Sequence, residues 1–379
     1  MKRTCAKSQL GFTLAEMMIS LGLGILVLGC AVQIFSTALS STWQVQQRAE
    51  MQQNVRAAES MLIKDISMAG SGLPQGGLAL ISGTSTSPAY GCDPTNLCTD
   101  INGTSIKFPT QTSGTVTTAY LYAITPGYGK GPIISAGQGA TDVITVAYQD
   151  PNLPLSSYAV TFTAGSTTSA KFTGTATPAL NDPGYGLKVG DLLWFSGSSG
   201  GSTIYAIGEV TGTSGTSSPF TVSLATTDNM KLNQTGGTSG LSALVSPSMA
   251  TGITASRVLL ISYFLNSNTD AAGNVTYRLM RQVNGQAPTP LVDNISDLRF
   301  RYDVYNSADT PPTQTNTTDA LMSTGGSPNL IRKVNIAHLT IRSPLSGTQG
   351  YQGLDIQTSV AARNLSFSDR YPGPTINAH

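Results

Sequence analysis

Between Phe12 and Gln47 the chain holds one acidic or basic side chain, Glu16, and no proline. A segment this apolar reads as a helix, and Met17 to Leu39 alone would span roughly 34 Å, enough for a bilayer core. The leader before it carries Lys2, Arg3 and Lys7 and no acid, which assigns that end to the cytoplasm under the positive-inside tendency. A secretory signal would place its cleavage site after the apolar core. Here the natural cut, Gly11-Phe12, comes before it and leaves the helix on the mature chain. The plain alternative is an uncleaved signal anchor, but a lone carboxylate in lipid is costly and Glu16 then needs a reason to be there.

Past the span the helical signal continues without proline to Met68. Met51, Val55, Ala58, Leu62 and Ala69 keep a three-to-four spacing that forms one apolar stripe, while Arg48, Glu50, Arg56, Glu59 and Lys64 mostly face elsewhere. Gly70-Ser71-Gly72, followed by Pro74, is the expected stop. The reading is a rod on the order of 85 Å over residues 12–69, transmembrane over about 17–39 and amphipathic over 40–69. From residue 70 onward, β-branched and aromatic runs alternate with Gly, Ser, Thr, Asn and Pro clusters, the pattern of short strands. The expected strands are VTTAYLYAI from Val116, DVITVAY from Asp142, DLLWF from Asp191, TIYAIGEV from Thr203, DLRFRYDVY from Asp297, KVNIAHLTIRS from Lys333 and LDIQTSVAARNL from Leu354. RVLLISYFL from Arg257 and NVTYRLMRQV from Asn274 read as a hairpin. Residues 164–178, 211–219 and 234–256 are Gly/Ser/Thr-rich and read as loops. The fold class is therefore α+β, a long N-terminal helix with a large β-rich head.

GFTLAEMMIS, behind its basic leader, resembles the class III signal of type IV prepilins and pseudopilins. That resemblance implies a prepilin peptidase that cuts after Gly11 and methylates the new N-terminal Phe12, residues 1–11 being lost. It further implies that Glu16 meets the N-terminal amine of an adjacent subunit as an assembly contact. Gly22, Gly24 and Gly29 would allow close approach of a neighbouring helix. In the second half, YRLMRQVNG, PLVDNISDLRFRYDV, IAHLTIRSP and TSVAARNL are similar to the C-terminal region of PilW-type minor pilins and, more weakly, to the J-type pseudopilin of type II secretion. The implied partners are other minor pilins, the major pilin and the inner membrane. The implied course is a single-pass inner-membrane protein with a periplasmic head, later carried to a surface pilus. Rival readings are the secretion pseudopilin and a tip adhesin or DNA-capture module.

Charge shifts along the head: residues 70–256 hold 5 basic and 8 acidic groups, residues 257–379 hold 10 and 8. This permits two lobes, a Gly/Ser/Thr-rich β region over 70–256 and a C-terminal β region over 257–379. Charged residues make up only 11% of the chain, and loss of the leader's three basic groups leaves 18 basic against 20 acidic. Nothing in that balance suits a polyanion partner, so nucleic acid is not expected.

No GxSxG, HExxH, Walker or GxGxxG pattern is present, so no enzyme, cofactor or small-molecule substrate is expected. NSNTDAAGN from Asn266 spaces oxygens like a calcium loop, but Ala271 and Tyr277 stand where that loop needs its glycine and its bidentate glutamate, and it reads as a hairpin loop. Cys92 and Cys98 bracket GCDPTNLCTD and are expected to pair as a disulfide in an oxidising compartment. A metal site there would require further ligands, and the chain has two histidines, His338 and His379.

Overall fold

The computed structural model describes residues 12–74, 76–84, 87–90, 106–113, 116–163, 165–237, 239–245, 250–269, 273–305, 312–318, 327–343 and 352–365. The apolar run and the amphipathic stretch form one helix, α1, Leu14–Met68, of 55 residues and about 82 Å in length. It ends where the glycines foretell. Gly70 and Gly72 adopt φ of +77° and +72°, a conformation that costs glycine little. Gly70 N–H donates to Ala147 O at 2.8 Å, which stitches the helix end to a strand. A Cβ at Gly72 would crowd the Gln149 side chain, lying 2.7 Å from its Cβ, which together with the positive φ favours glycine there.

Eighteen strands follow among the described residues, in four antiparallel sheets. The largest contains β4 (Ile124–Gly127), β5 (Val143–Gln149), β8 (Leu192–Ser199), β9 (Ser202–Glu209), β12 (Thr251–Thr269), β13 (Val275–Val283) and β14 (Thr289–Val292). Its organiser is β12, 19 residues long. Residues 251–258 pair with β8, residues 258–263 with β5, and residues 261–269 with β13 in the expected hairpin. Alternate side chains of β12 meet different cores. Ile261, Tyr263 and Leu265 face the helix side, whereas Val258 and Leu260 join Ala147, Leu192 and Ile207 on the other. Burial on both faces explains why RVLLISYFL is a continuous apolar run and not an alternating one.

A second sheet runs β16 (Thr313–Thr317), β15 (Ile295–Tyr305), β17 (Ile331–Arg342), β18 (Gly353–Ala361). The stripe of α1 completes a core with the inner faces of these two sheets: Val55, Leu62 and Ile66 lie with Ile144, Val146, Leu279, Phe300 and Ile336. Each such fully buried side chain contributes roughly 1.5–3 kcal/mol. Two smaller sheets complete the head. One is β1 (Leu78–Ala79), β3 (Val116–Leu121) and β2 (Thr110–Ser113); the other is β10 (Gly212–Ser214), β11 (Phe220–Ser223), β7 (Ser169–Thr173) and β6 (Ala159–Phe162).

Two expectations require correction. Segments 164–178, 211–219 and 234–256 are not only loops: they hold β7, β10 and the first residues of β12. Each of these strands offers few apolar residues among Thr, Ser and Gly, and it is pairing, such as Phe172↔Phe220, that makes the strand. VTTAYLYAI is not one strand. It breaks after Leu121, so that β3 and β4 enter different sheets. The charge shift at 256/257 falls within β12, whose residues on either side of that point belong to one sheet.

Candidate assembly helix and its junction with the head

Thr13 caps α1 in extended conformation, and Thr13 and Glu16 form a reciprocal capping box. Glu16 N–H donates to Thr13 Oγ1 at 3.3 Å; Glu16 Oε2 accepts from Thr13 N–H at 3.0 Å and from the Thr13 hydroxyl at 2.9 Å. Within a single chain the carboxylate thus already satisfies the end of its own helix, a role that a Thr-x-x-Glu spacing predicts on local grounds. Phe12, 87% exposed, lies just outside the cap. Gly11 lies outside the described residues, as do Cys92 and Cys98.

From Leu14 to Leu39 every side chain is exposed. Leu21, Ile25, Leu28, Val32 and Phe35 each show more than half of their surface. A Cβ at Gly22, Gly24 or Gly29 would touch nothing within 4 Å, so these positions form shallow places on a bare rod. Cys30 is a free, exposed thiol on the same rod. The hydroxyls of Ser36, Thr37, Ser40 and Thr42 donate back to carbonyls three or four residues earlier, so these four donors are satisfied within the helix. By length and composition this segment is able to cross a membrane.

Contact with the head begins near Arg48, whose Nε donates to Gln352 Oε1 at 2.7 Å, and Met51 is the first buried residue. The junction is then fastened by an acid that sequence reasoning passed over. Asp65 is buried on the stripe itself, three residues after Leu62. Its carboxylate accepts from Tyr148 Oη at 2.9 Å, Tyr263 Oη at 2.6 Å and Arg281 Nε at 2.9 Å. Burial, then the Asp65 charge, pushes both phenols above their usual range, so both stay protonated and donate to Asp65, while Tyr263 Oη also accepts from Arg281 Nε at 3.3 Å. The available signal was an acid in register with Met51, Val55, Ala58 and Leu62, a position that solvent would not choose.

Glu209, the only glutamate in the sequence after residue 70, is buried in a different place. Its Oε2 accepts from Met230 N–H at 2.9 Å. Burial pushes its carboxyl up to about 7, with nearby Asp228 adding to the rise against the Met230 N–H. His338 sits on β17 with Nδ1 2.9 Å from Asp355 Oδ2. Among the described residues no group of three or more His, Cys, Asp or Glu is placed to hold a metal ion. Asn266 to Thr269 of the calcium-like segment lie in β12.

Fold and site together define an α+β protein with a membrane-capable helix that continues into the core of a β-rich head. No family profile, curated protein or solved structure matches the chain.

Proposed function

We propose that this chain is a PilW-like minor pilin, a non-catalytic subunit that is cleaved between Gly11 and Phe12, held in the inner membrane by α1 with its head in the periplasm, and assembled with other pilins into a surface filament. The observation that supports this reading most is the division of α1. Its first half is apolar all round and wholly exposed, and its second half is built into the head. An apolar rod with no partner among the described residues of its own chain needs lipid before assembly and neighbouring helices after it. The GFTLAEMMIS motif supplies the processing signal. The two cysteines of residues 91–105, Cys92 and Cys98, fit an oxidising compartment.

Glu16 is the assembly contact in this reading. In the single chain its carboxylate bonds Thr13, and cleavage before Phe12 creates a cationic amine one residue from that cap, the charge that a neighbour's Glu16 can take up. Mass spectrometry of the mature N-terminus should read methylated FTLAEMM, and Gly11→Val should leave uncleaved precursor in the membrane. Glu16→Ala and Glu16→Gln should be cleaved and inserted normally yet be poorly recovered in sheared filaments. Wild-type recovery of both variants removes Glu16 from assembly, and a mature chain beginning at Met1 removes the whole reading. Recovery confined to the periplasm, dependent on a secretion channel, turns it to the J-like pseudopilin.

A further inference from the structure

The outer face of the β15–β18 sheet is polar and irregular. Along β17 the buried residues run Ile331, Val334, Ile336, Leu339, Ile341, so the alternation skips two residues at Arg332 and Lys333 and again at Ala337 and His338. The registers of β17 with β15 and with β18 both shift at the second of these. A bulge of this kind re-aims side chains. Here it opens a groove of about 490 Å³ whose floor includes Ile336 and Ala337.

Around that floor stand Arg301, Asn316, Asn335, His338, Gln357 and Ser359. Several are oriented by neighbours. Asn335 Nδ2 donates to Asp303 Oδ1 at 2.8 Å and Gln357 Nε2 to Asp355 Oδ2 at 3.1 Å, which leaves the two amide carbonyls as acceptors. Asp355 likewise holds His338 through Nδ1. The Arg301 guanidinium bonds Phe300 O at 2.9 Å and lies over the Tyr128 ring, 5.8 Å from its centre. Among the described residues its ion-pair partner is Asp142, 3.8 Å away, which already accepts from the N–H groups of Gly129 and Phe300. Arg301 therefore presents a guanidinium that its surroundings hold in place and only partly neutralise.

We propose that this groove binds a short saccharide segment bearing a carboxylate, with the acid at Arg301 and sugar hydroxyls at Asn335, Gln357 and Ser359. Amide carbonyls that accept and a serine hydroxyl that both donates and accepts match the hydroxyls of a sugar ring, and a guanidinium matches a carboxylate. The groove is lined by the face of all four strands, β16, β15, β17 and β18; an extended peptide that joined the sheet would pair along an outer edge and not lie on this face. One available cation is too few for a nucleic-acid backbone. The proposal is independent of the pilin reading, and either can fail without the other.

The test is binding of tetragalacturonate to the full-length protein in detergent micelles, read by calorimetry and by saturation-transfer NMR, with maltotetraose as the neutral probe. Tetragalacturonate should bind with a dissociation constant on the order of 1 mM or tighter. Maltotetraose and the Arg301→Gln variant should each show binding about tenfold weaker, the loss expected for one charge-assisted contact. Gln357→Ala, on the exposed edge strand, should weaken binding roughly threefold with an unchanged melting temperature, so that a folding defect in Arg301→Gln cannot decide the matter. No binding of the acidic probe overturns the proposal. So does binding of both probes with equal strength that neither variant alters.

Discussion

The two halves of α1 share one backbone and one direction, yet among the described residues only the second has a partner in its own chain. Between Leu14 and Leu39 all side chains are exposed, whereas between Met51 and Ile66 a stripe is sealed, with Val55 and Leu62 at 0% exposure. The first half is apolar on every side and so has no face for a single sheet to cover. The second is apolar on one side and packs against the inner faces of two sheets. Helix propensity accounts for neither result. Where the apolar positions fall around the helix decides whether burial is supplied by the head or must come from lipid or another helix.

The sharpest test of the sealed half is Asp65→Ala. It strands Arg281, Tyr148 and Tyr263 around an empty site, and removing one member of a buried pair costs about 3–5 kcal/mol. Thermal unfolding of the head should register it. Asp65→Asn should cost less, because an amide oxygen still accepts from the tyrosines. The contrast itself is broken or upheld by a matched pair. Leu62→Ala should destabilise the head by about 2–5 kcal/mol, while Leu23→Ala, at a side chain 59% exposed, should leave its melting unchanged. Equal losses would show that the halves do not differ as described.

Glu209 sharpens the comparison from inside the head, as a buried acid without the direct cation that Asp65 has. Its carboxyl is raised from 4.5 to about 7, so folding favours the protonated form. The resulting stability is fully present below about pH 4.5 and is lost as pH rises through about 7. The difference is on the order of 3 kcal/mol at about 1.4 kcal/mol per pH unit. Glu209→Gln should therefore match the wild type near pH 4.5 and unfold at higher temperature above pH 8. A difference that does not change with pH would remove the buried charge as its cause. The smallest effect is expected at the free end of the helix, where Thr13→Ala deletes the cap and costs about 1 kcal/mol of local stability. It should appear as faster amide exchange at Glu16 and Met17 in micelles, with no change in the head.

Much of this was legible in the residues. The helix limits, its bilayer length, the buried stripe and the glycine stop depend on contacts within about four positions, so periodicity and punctuation report them directly. The capping box is equally local, since Thr13 and Glu16 are three residues apart. The stripe even contained Asp65, but its partners lie 83, 198 and 216 residues away, and no local pattern links them.

What the sequence alone determined was thus the α+β class and the rod with its two unlike halves. Tertiary structure decided the rest. It made strands of Thr- and Ser-rich segments by pairing them, and it passed β12 from β8 to β13 along one edge, so that both sides of the charge shift at 256/257 share a sheet. It also placed the bulge at Ala337 and His338 that opens the groove beside Arg301. The physical reason is common to all three. A helix satisfies its backbone with its own neighbours, whereas a strand is completed only by partners that the chain must travel to reach.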